Sequence, residues 1–290
     1  MPHGIVRSMN AWYAAVSVVA MCAAGCATNR GAIQIVALPP GGAQVGIEGT
    51  LDGYPGALAA IMNAFEEALG LPRCDVRLVL FPDRRSFEQG LQTAGYPPDL
   101  ARSASSFAAI GGARAVLLNA GVVDRFNRTT RVQLVAHELV HSLQYQFSGG
   151  TRGASEQWVR EGFAEWVSYR VTAHLGLASF ASLREDLLTP LAHVSFGIPP
   201  APLDKLVTFP EWVDAQRRYD VPLYAQAFIA ADLLIEMRGM PALVAYFERF
   251  RSTSDHERAF SAAFGLERAA FETAFIRRWH ETVAQVRASR

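Results

Sequence analysis

Cysteine is nearly absent from this chain, and so is lysine. Three cysteines stand among 290 residues, at positions 22, 26 and 74, too few and too scattered for a disulfide framework or a zinc–thiolate cluster. Any metal must therefore be held by histidine and carboxylate. Lys205 is the one lysine, the other cationic side chains being arginine, a bias from which no function follows. Net charge is missing too: 27 basic residues balance 27 acidic ones. The basic residues are spread along the chain, which leaves no electrostatic footprint for nucleic acid. There is no internal repeat and no low-complexity tract. The apolar stretch Ala11–Gly25 is short for a membrane-spanning helix, which needs about 20 residues.

Half the residues are hydrophobic and 19% are charged, the composition of a packed globular protein. The length allows one large domain or two modest lobes. Arg7 ahead of the apolar stretch, and Ala23-Ala24-Gly25-Cys26 at its end, give residues 1–25 the layout of a secretory signal peptide. Small residues directly before a cysteine resemble the lipobox of bacterial lipoproteins, with Ala23 where leucine is usual. On that reading Cys26 is lipidated, residues 26–33 form a tether, and the mature chain is anchored to a membrane in the cell envelope, facing the periplasm or the exterior. Cleavage after Ala27 and a retained anchor are the alternatives.

From residue 34 to about 121 the pattern alternates between strand and helix. Gln34–Leu38, Val76–Phe81 and Ala113–Asn119 are short, apolar and bounded by Gly or Pro, as strands are. Ala57–Leu69 has helical spacing through Leu58, Ile61, Phe65 and Leu69, closed by Gly70, and a second helix is expected near Ser86–Ala94. Beyond Asp124 the strand signals fade. Helices are predicted at Thr130–Phe147, Ser155–Leu175, Pro222–Met237, Pro241–Phe250, Asp255–Phe264 and Leu266–Val286. Pro241 suits a first helical turn, Ser254 with Glu257 has capping-box spacing, and Gly239 and Gly265 suit helix ends. The proline-rich stretch Thr189–Glu211 is the expected long loop. The expected fold class is α+β: an N-terminal α/β lobe with a mixed sheet over residues 34–150, then an all-helical lobe over 151–290.

The chemistry lies in His137-Glu138-Leu139-Val140-His141. Four residues are just over one helical turn, so both imidazoles project from one face and can converge on a metal. Glu138, about 100° round the helix, can reach a water at that metal without ligating it. Val135, Leu139, Leu143 and Phe147 make the same helix broadly apolar, which favours a packed setting over two stray surface histidines. The second half is Trp158-Val159-Arg160-Glu161-Gly162-Phe163-Ala164-Glu165-Trp166, whose Glu161 stands twenty positions after His141. A returning helix across the Ser148-Gly149-Gly150 loop can bring Glu161 to the histidines, and Gly162 and Ala164 are small enough to permit close helix approach. Carboxylates buried there without partners would cost several kcal/mol, a cost that a cation removes.

Together the two segments resemble the gluzincin metallopeptidases, and most closely the bacterial peptidase MA-like proteins, which pair His-Glu-x-x-His with Trp-x-x-Glu-Gly-x-Ala. The strict motif covers under a tenth of the chain. Weaker likeness runs from about Ala113 onward, through Tyr224-Ala225-Gln226-Ala227-Phe228 and Ala263-Phe264-Gly265. The resemblance implies a zincin-like fold with the His-Glu-x-x-His helix as its active-site helix. It implies Zn2+ held by His137, His141 and Glu161, with Glu138 as general base, and a peptide or protein substrate. Glu165 matches a carboxylate that orients a ligand histidine, its alternative being a solvent-facing helix glutamate. Ala113–Asn119 resembles the edge strand that binds extended peptide, or is an ordinary core strand. Tyr224 resembles the tyrosine of alanyl aminopeptidases that stabilises the oxyanion, or is a core tyrosine, with Tyr219 and His193 in reserve. No Gly-x-Met-Glu-Asn segment precedes the zinc motif, so amine recognition of the aminopeptidase kind is not expected. A non-catalytic zinc- or peptide-binding lipoprotein and a zinc hydrolase of a non-peptide amide or ester remain as alternative functions.

Overall fold

Short apolar strands and longer amphipathic helices form the elements of this computed structural model, which describes residues 32–37, 51–150, 155–194 and 197–289. Residues 1–31, on which the expected export signal and the lipidation site Cys26 fall, lie outside the described residues, as do 38–50. Among the described residues no helix is long and apolar enough to cross a membrane.

The chain is α+β. In order come β1 (Gln34–Ala37), α1 (Tyr54–Leu69), β2 (Arg77–Phe81), α2 (Arg84–Thr93), α3 (Pro98–Ala104), β3 (Ala109–Gly111), β4 (Ala115–Asn119) and the single turn α4 (Ala120–Val123). Next are α5 (Arg128–Phe147), α6 (Gln157–His174) and α7 (Phe180–Leu188). After 3-10 turns at Thr189–His193 and Leu203–Lys205 the chain continues in α8 (Phe209–Arg218), α9 (Leu223–Arg238), α10 (Met240–Arg249), α11 (His256–Phe264) and α12 (Arg268–Ala288). Contacts divide it into two compact units, Met1–Leu143 with Arg170–Ser179, and Gln144–Tyr169 with Phe180–Arg290. The division falls inside α5 and α6, each of which is one continuous helix.

The first unit is built on a four-stranded mixed sheet in the order β1-β2-β4-β3. β2 and β4 run parallel, with Arg77 opposite Ala115 and Phe81 opposite Asn119, while β1 and β3 flank them antiparallel. The parallel pair needs a crossover, and α2, α3 and β3 supply it. Phe87 and Leu91 of α2, Ala101 and Ala104 of α3, Ile110 of β3 and Leu117 of β4 close one core over Phe81. Helix ends follow local chemistry. Gly70, in the left-handed region at φ 61°, ends α1. The Asp83 side chain accepts the Ser86 N–H to start α2, and Asn127 Oδ1 accepts the Thr130 N–H at 2.9 Å in the first turn of α5.

The strand expected at Ala113–Asn119 is β4, and it is an interior strand hydrogen-bonded on both sides. The edge beyond it is β3, three residues too short and too glycine-rich to show strand periodicity. That corrects the reading of residues 113–119 as a peptide-binding edge.

The second unit is helical. Within it α9 packs against α7, α10 and α12, and α10 against α11. Tyr246 of α10 sits among Phe247, Phe250, Phe260 and Phe264, with ring centroids 5.1–6.4 Å away. The cap of α11 is Asp255, whose carboxylate accepts the Arg258 N–H. The Ser254–Glu257 capping box expected from spacing is therefore displaced by one residue, since a carboxylate already stands at the helix start.

Candidate metal centre

Helix α5 is buried nearly all round from Val132 to Phe147, with only residues 133 and 146 partly open. That is the setting in which polar side chains need partners. Its apolar residues Val135, Leu139, Leu143 and Phe147 are all buried, and so are His137, Glu138 and His141. The one-turn spacing brings the two imidazoles together. Nε2 of His137 and Nε2 of His141 lie 3.1 Å apart, with the rings nearly perpendicular at 85°. Two ligands of a tetrahedral ion about 2.0–2.1 Å from each nitrogen stand about 3.3 Å apart, so this pair needs almost no rearrangement to share one.

Glu161, fully buried on α6, completes a three-residue set. The ligand-capable atoms of His137, His141 and Glu161 all lie within 4.8 Å of one another, and these three residues can hold a metal ion. Two neutral imidazoles and one carboxylate form the mixed N/O donor set that divalent zinc accepts, with a fourth position left over. The sequence spacing of the motif is thus matched by convergence of exactly the three predicted side chains.

One partner of Glu161 comes from its own helix. Gln157, one turn earlier, donates from Nε2 to Glu161 Oε1 at 2.5 Å, and its Oε1 accepts from Arg160 Nε at 3.1 Å. A second Arg160 nitrogen contacts the same Gln157 oxygen, and its guanidinium also reaches the carbonyl of Ser155. Gln144 Nε2 donates to the Arg160 carbonyl at 2.9 Å. Arg160 therefore fixes which end of the Gln157 amide faces Glu161. The sequence reading missed Gln157 and Arg160. The available signal was their position, one turn and one residue before a candidate ligand.

Glu138 sits differently. Its Oε2 accepts the N–H of Gly111, on edge strand β3, at 2.6 Å, and the Ser142 hydroxyl donates to the Gly112 carbonyl at 2.6 Å. A side chain at Gly111 would overlap the Glu138 backbone carbonyl and crowd Glu138 Oε2 at 3.0 Å, so only glycine lets strand and helix approach this closely. Gly162 plays the same part elsewhere: a Cβ there would collide with the Ala227 carbonyl of α9. Its small size serves α6–α9 packing.

The remaining candidates are placed as follows. Glu165 is buried on α6, which removes the solvent-facing alternative. Tyr224 is buried in the first turn of α9, its ring edge-on to Trp212 at 5.3 Å. Tyr219 is half-buried at the end of α8, and His193 is exposed at the end of its 3-10 turn. Comparison with known protein families, with curated proteins and with solved structures finds no match to this chain.

Proposed function

We propose that this protein is a zinc-dependent hydrolase of the gluzincin type, cleaving peptide bonds outside the cytoplasm. The observation that carries the reading is the buried convergence of His137, His141 and Glu161 within 4.8 Å, with the Glu138 carboxylate on the same helix turn as His137. A divalent metal held there supplies Lewis-acid polarisation of a carbonyl and lowers the pKa of water. His137 and His141 bind through Nε2, and Glu161, braced by Gln157, is the anionic ligand. Glu138 accepts a proton from the attacking water and returns it to the leaving amine. Tyr224 is the candidate donor to the oxyanion, and Glu165 the buried carboxylate available to orient a histidine. The zincin-like fold, the lipid anchor at Cys26 and the envelope location belong to the same proposal.

A second reading has one observation in its favour. The Glu138 carboxylate accepts the Gly111 N–H, so this residue also has a structural task, as it would in a metal- or peptide-binding protein without turnover. Glu138→Gln separates the two. In the hydrolase, the variant keeps one zinc per chain by elemental analysis and loses nearly all cleavage of a peptide library that the wild type cuts in a chelator-sensitive way. Undiminished turnover in the variant, or no zinc in the wild type, refutes the proposal. Zinc without any cleavage by the wild type selects the binding protein.

A further inference from the structure

The proline-rich stretch that reads as a loop in sequence forms one wall of a cavity in the helical unit. The cavity encloses about 430 Å³, within the range of about 300–1,000 Å³ typical of small-ligand sites. Its first wall is Ile198-Pro199-Pro200-Ala201-Pro202-Leu203, and its second is Phe275 and Ile276 of α12, with Val221 between.

The proline wall is rigid and partly satisfied. Three prolines in six residues fix φ and lack N–H groups. The Ile198 carbonyl accepts the Trp279 indole N–H at 3.2 Å. Ala201 is clamped at both polar atoms by Gln226, its N–H at 2.8 Å and its carbonyl at 2.7 Å. The carbonyls of Pro202 and Leu203 take the N–H groups of Lys205 and Leu206. An extended peptide adds to a surface through unpaired main-chain N–H and C=O groups, and more than half of this wall's are already taken. It offers carbon surface instead, which suits the body of a small molecule.

Charge at the cavity has one sign. Asp220 and Glu272 line it, and no arginine or lysine does. Glu272 Oε1 accepts from Arg268 Nε at 3.2 Å, whereas Asp220 makes no ion pair among the described residues. The Tyr219 ring lines the same cavity and adds a π-face of the kind that attracts cations.

We propose that this cavity binds a small amphiphilic cation, its apolar body between the proline segment and Phe275–Ile276 and its positive charge beside Asp220. The inference uses none of the metal-binding residues and stands whatever their function.

The test is calorimetric titration of the full chain with three probes sharing one body: 4-phenylbutylamine, 4-phenylbutanol and 4-phenylbutyrate. The amine should bind about fivefold more tightly than the alcohol, as one solvent-facing ion pair allows, and the carboxylate most weakly. Asp220→Asn should bring the amine down to the alcohol and leave the alcohol unchanged. Ile276 is 44% exposed, so Ile276→Arg tolerates folding while placing a guanidinium at the cavity; amine binding should fall at least tenfold. Equal affinity for the three probes, no binding of the amine at millimolar concentration, or an Ile276→Arg protein that binds the amine as before overturns the proposal.

Discussion

Glu156 stands fully buried one residue before α6, and its ionisation should make the protein less stable as pH rises through neutrality. Its carboxylate contacts the Arg268 guanidinium, its Oε2 accepts from the Tyr246 hydroxyl at 3.3 Å, and its own N–H donates to that hydroxyl at 3.2 Å. The charged neighbours from the packed helices are Arg268 and Glu272 of α12, Glu257 of α11 and Arg160 of α6. Burial penalises the Glu156 anion more than Arg268 and Tyr246 stabilise it, so its pKa is pushed up from 4.5 to about 7. Burial pulls Arg268 the other way, but Glu156, Glu272 and Glu257 hold it above its ordinary range. Arg268 thus stays cationic while Glu156 titrates. A folded pKa raised above the unfolded one contributes stability that is full below about pH 4.5 and lost as pH rises through about 7. The rise from 4.5 to about 7 already includes the help of Arg268 and Tyr246, and it corresponds to a loss of roughly 3 kcal/mol. In Glu156→Gln nothing titrates there, and Arg268 keeps Glu272 and Glu257. The variant should be destabilised at pH 5, where it loses the neutral acid's fit against Tyr246, and the gap to wild type should narrow by about 2–3 kcal/mol on going to pH 8. That corresponds to about 4–12 °C in Tm for a domain of this size. Thermal and urea unfolding at half-unit pH steps, in chelator so that metal does not contribute, reads the difference directly. A wild type and variant whose stabilities run parallel from pH 5 to 8 would show that Glu156 does not titrate in this window.

Two further predictions concern how α6 is held. Gln157→Leu removes the donor to Glu161 while keeping the volume close, and should weaken zinc binding by about 10–100-fold, as loss of a ligand's hydrogen-bond partner generally does; competition against a chromogenic chelator measures it, and unchanged affinity removes Gln157 from the positioning role. Gly162→Ala forces a methyl group into the Ala227 carbonyl, a backbone atom that cannot rotate away. It should cost about 3 kcal/mol, the upper range for overpacking, in urea unfolding of the chelator-treated protein, whereas Ala164→Gly should cost about 1 kcal/mol through helix propensity.

How much of this was legible in sequence depended on whether the signal was local. The long helices were: α5, α9, α11 and α12 begin and end within about two residues of their predicted limits, because apolar spacing and terminal Gly, Pro or Asp act over a single turn. The elements that went unseen are short or set by distant neighbours. β3 is three residues long, and it is a strand because β4 pairs with it and Gly111 lets α5 in. α8, which starts in the last three residues of the expected loop and runs past it, was not foreseen, although Thr208 and Glu211 form its reciprocal cap and Pro210 falls in its first turn, where a missing N–H costs nothing. The prolines that suggested a loop there mark a helix start and a rigid cavity wall.

At the metal centre the same distinction decides what could be foreseen. His137 and His141 converge through helix geometry alone, so their spacing was sufficient. Glu161 needed a second helix, and only the pairing of two motif halves pointed to it. Its partner Gln157 was beyond reach, because a glutamine one turn before a glutamate is ordinary on any exposed helix; it becomes informative only when both are buried. Burial turns that pair into a constraint. The ligand-capable atoms of three buried side chains lie within 4.8 Å of one another and can hold an ion, so zinc content of the purified chain is the first quantity to measure.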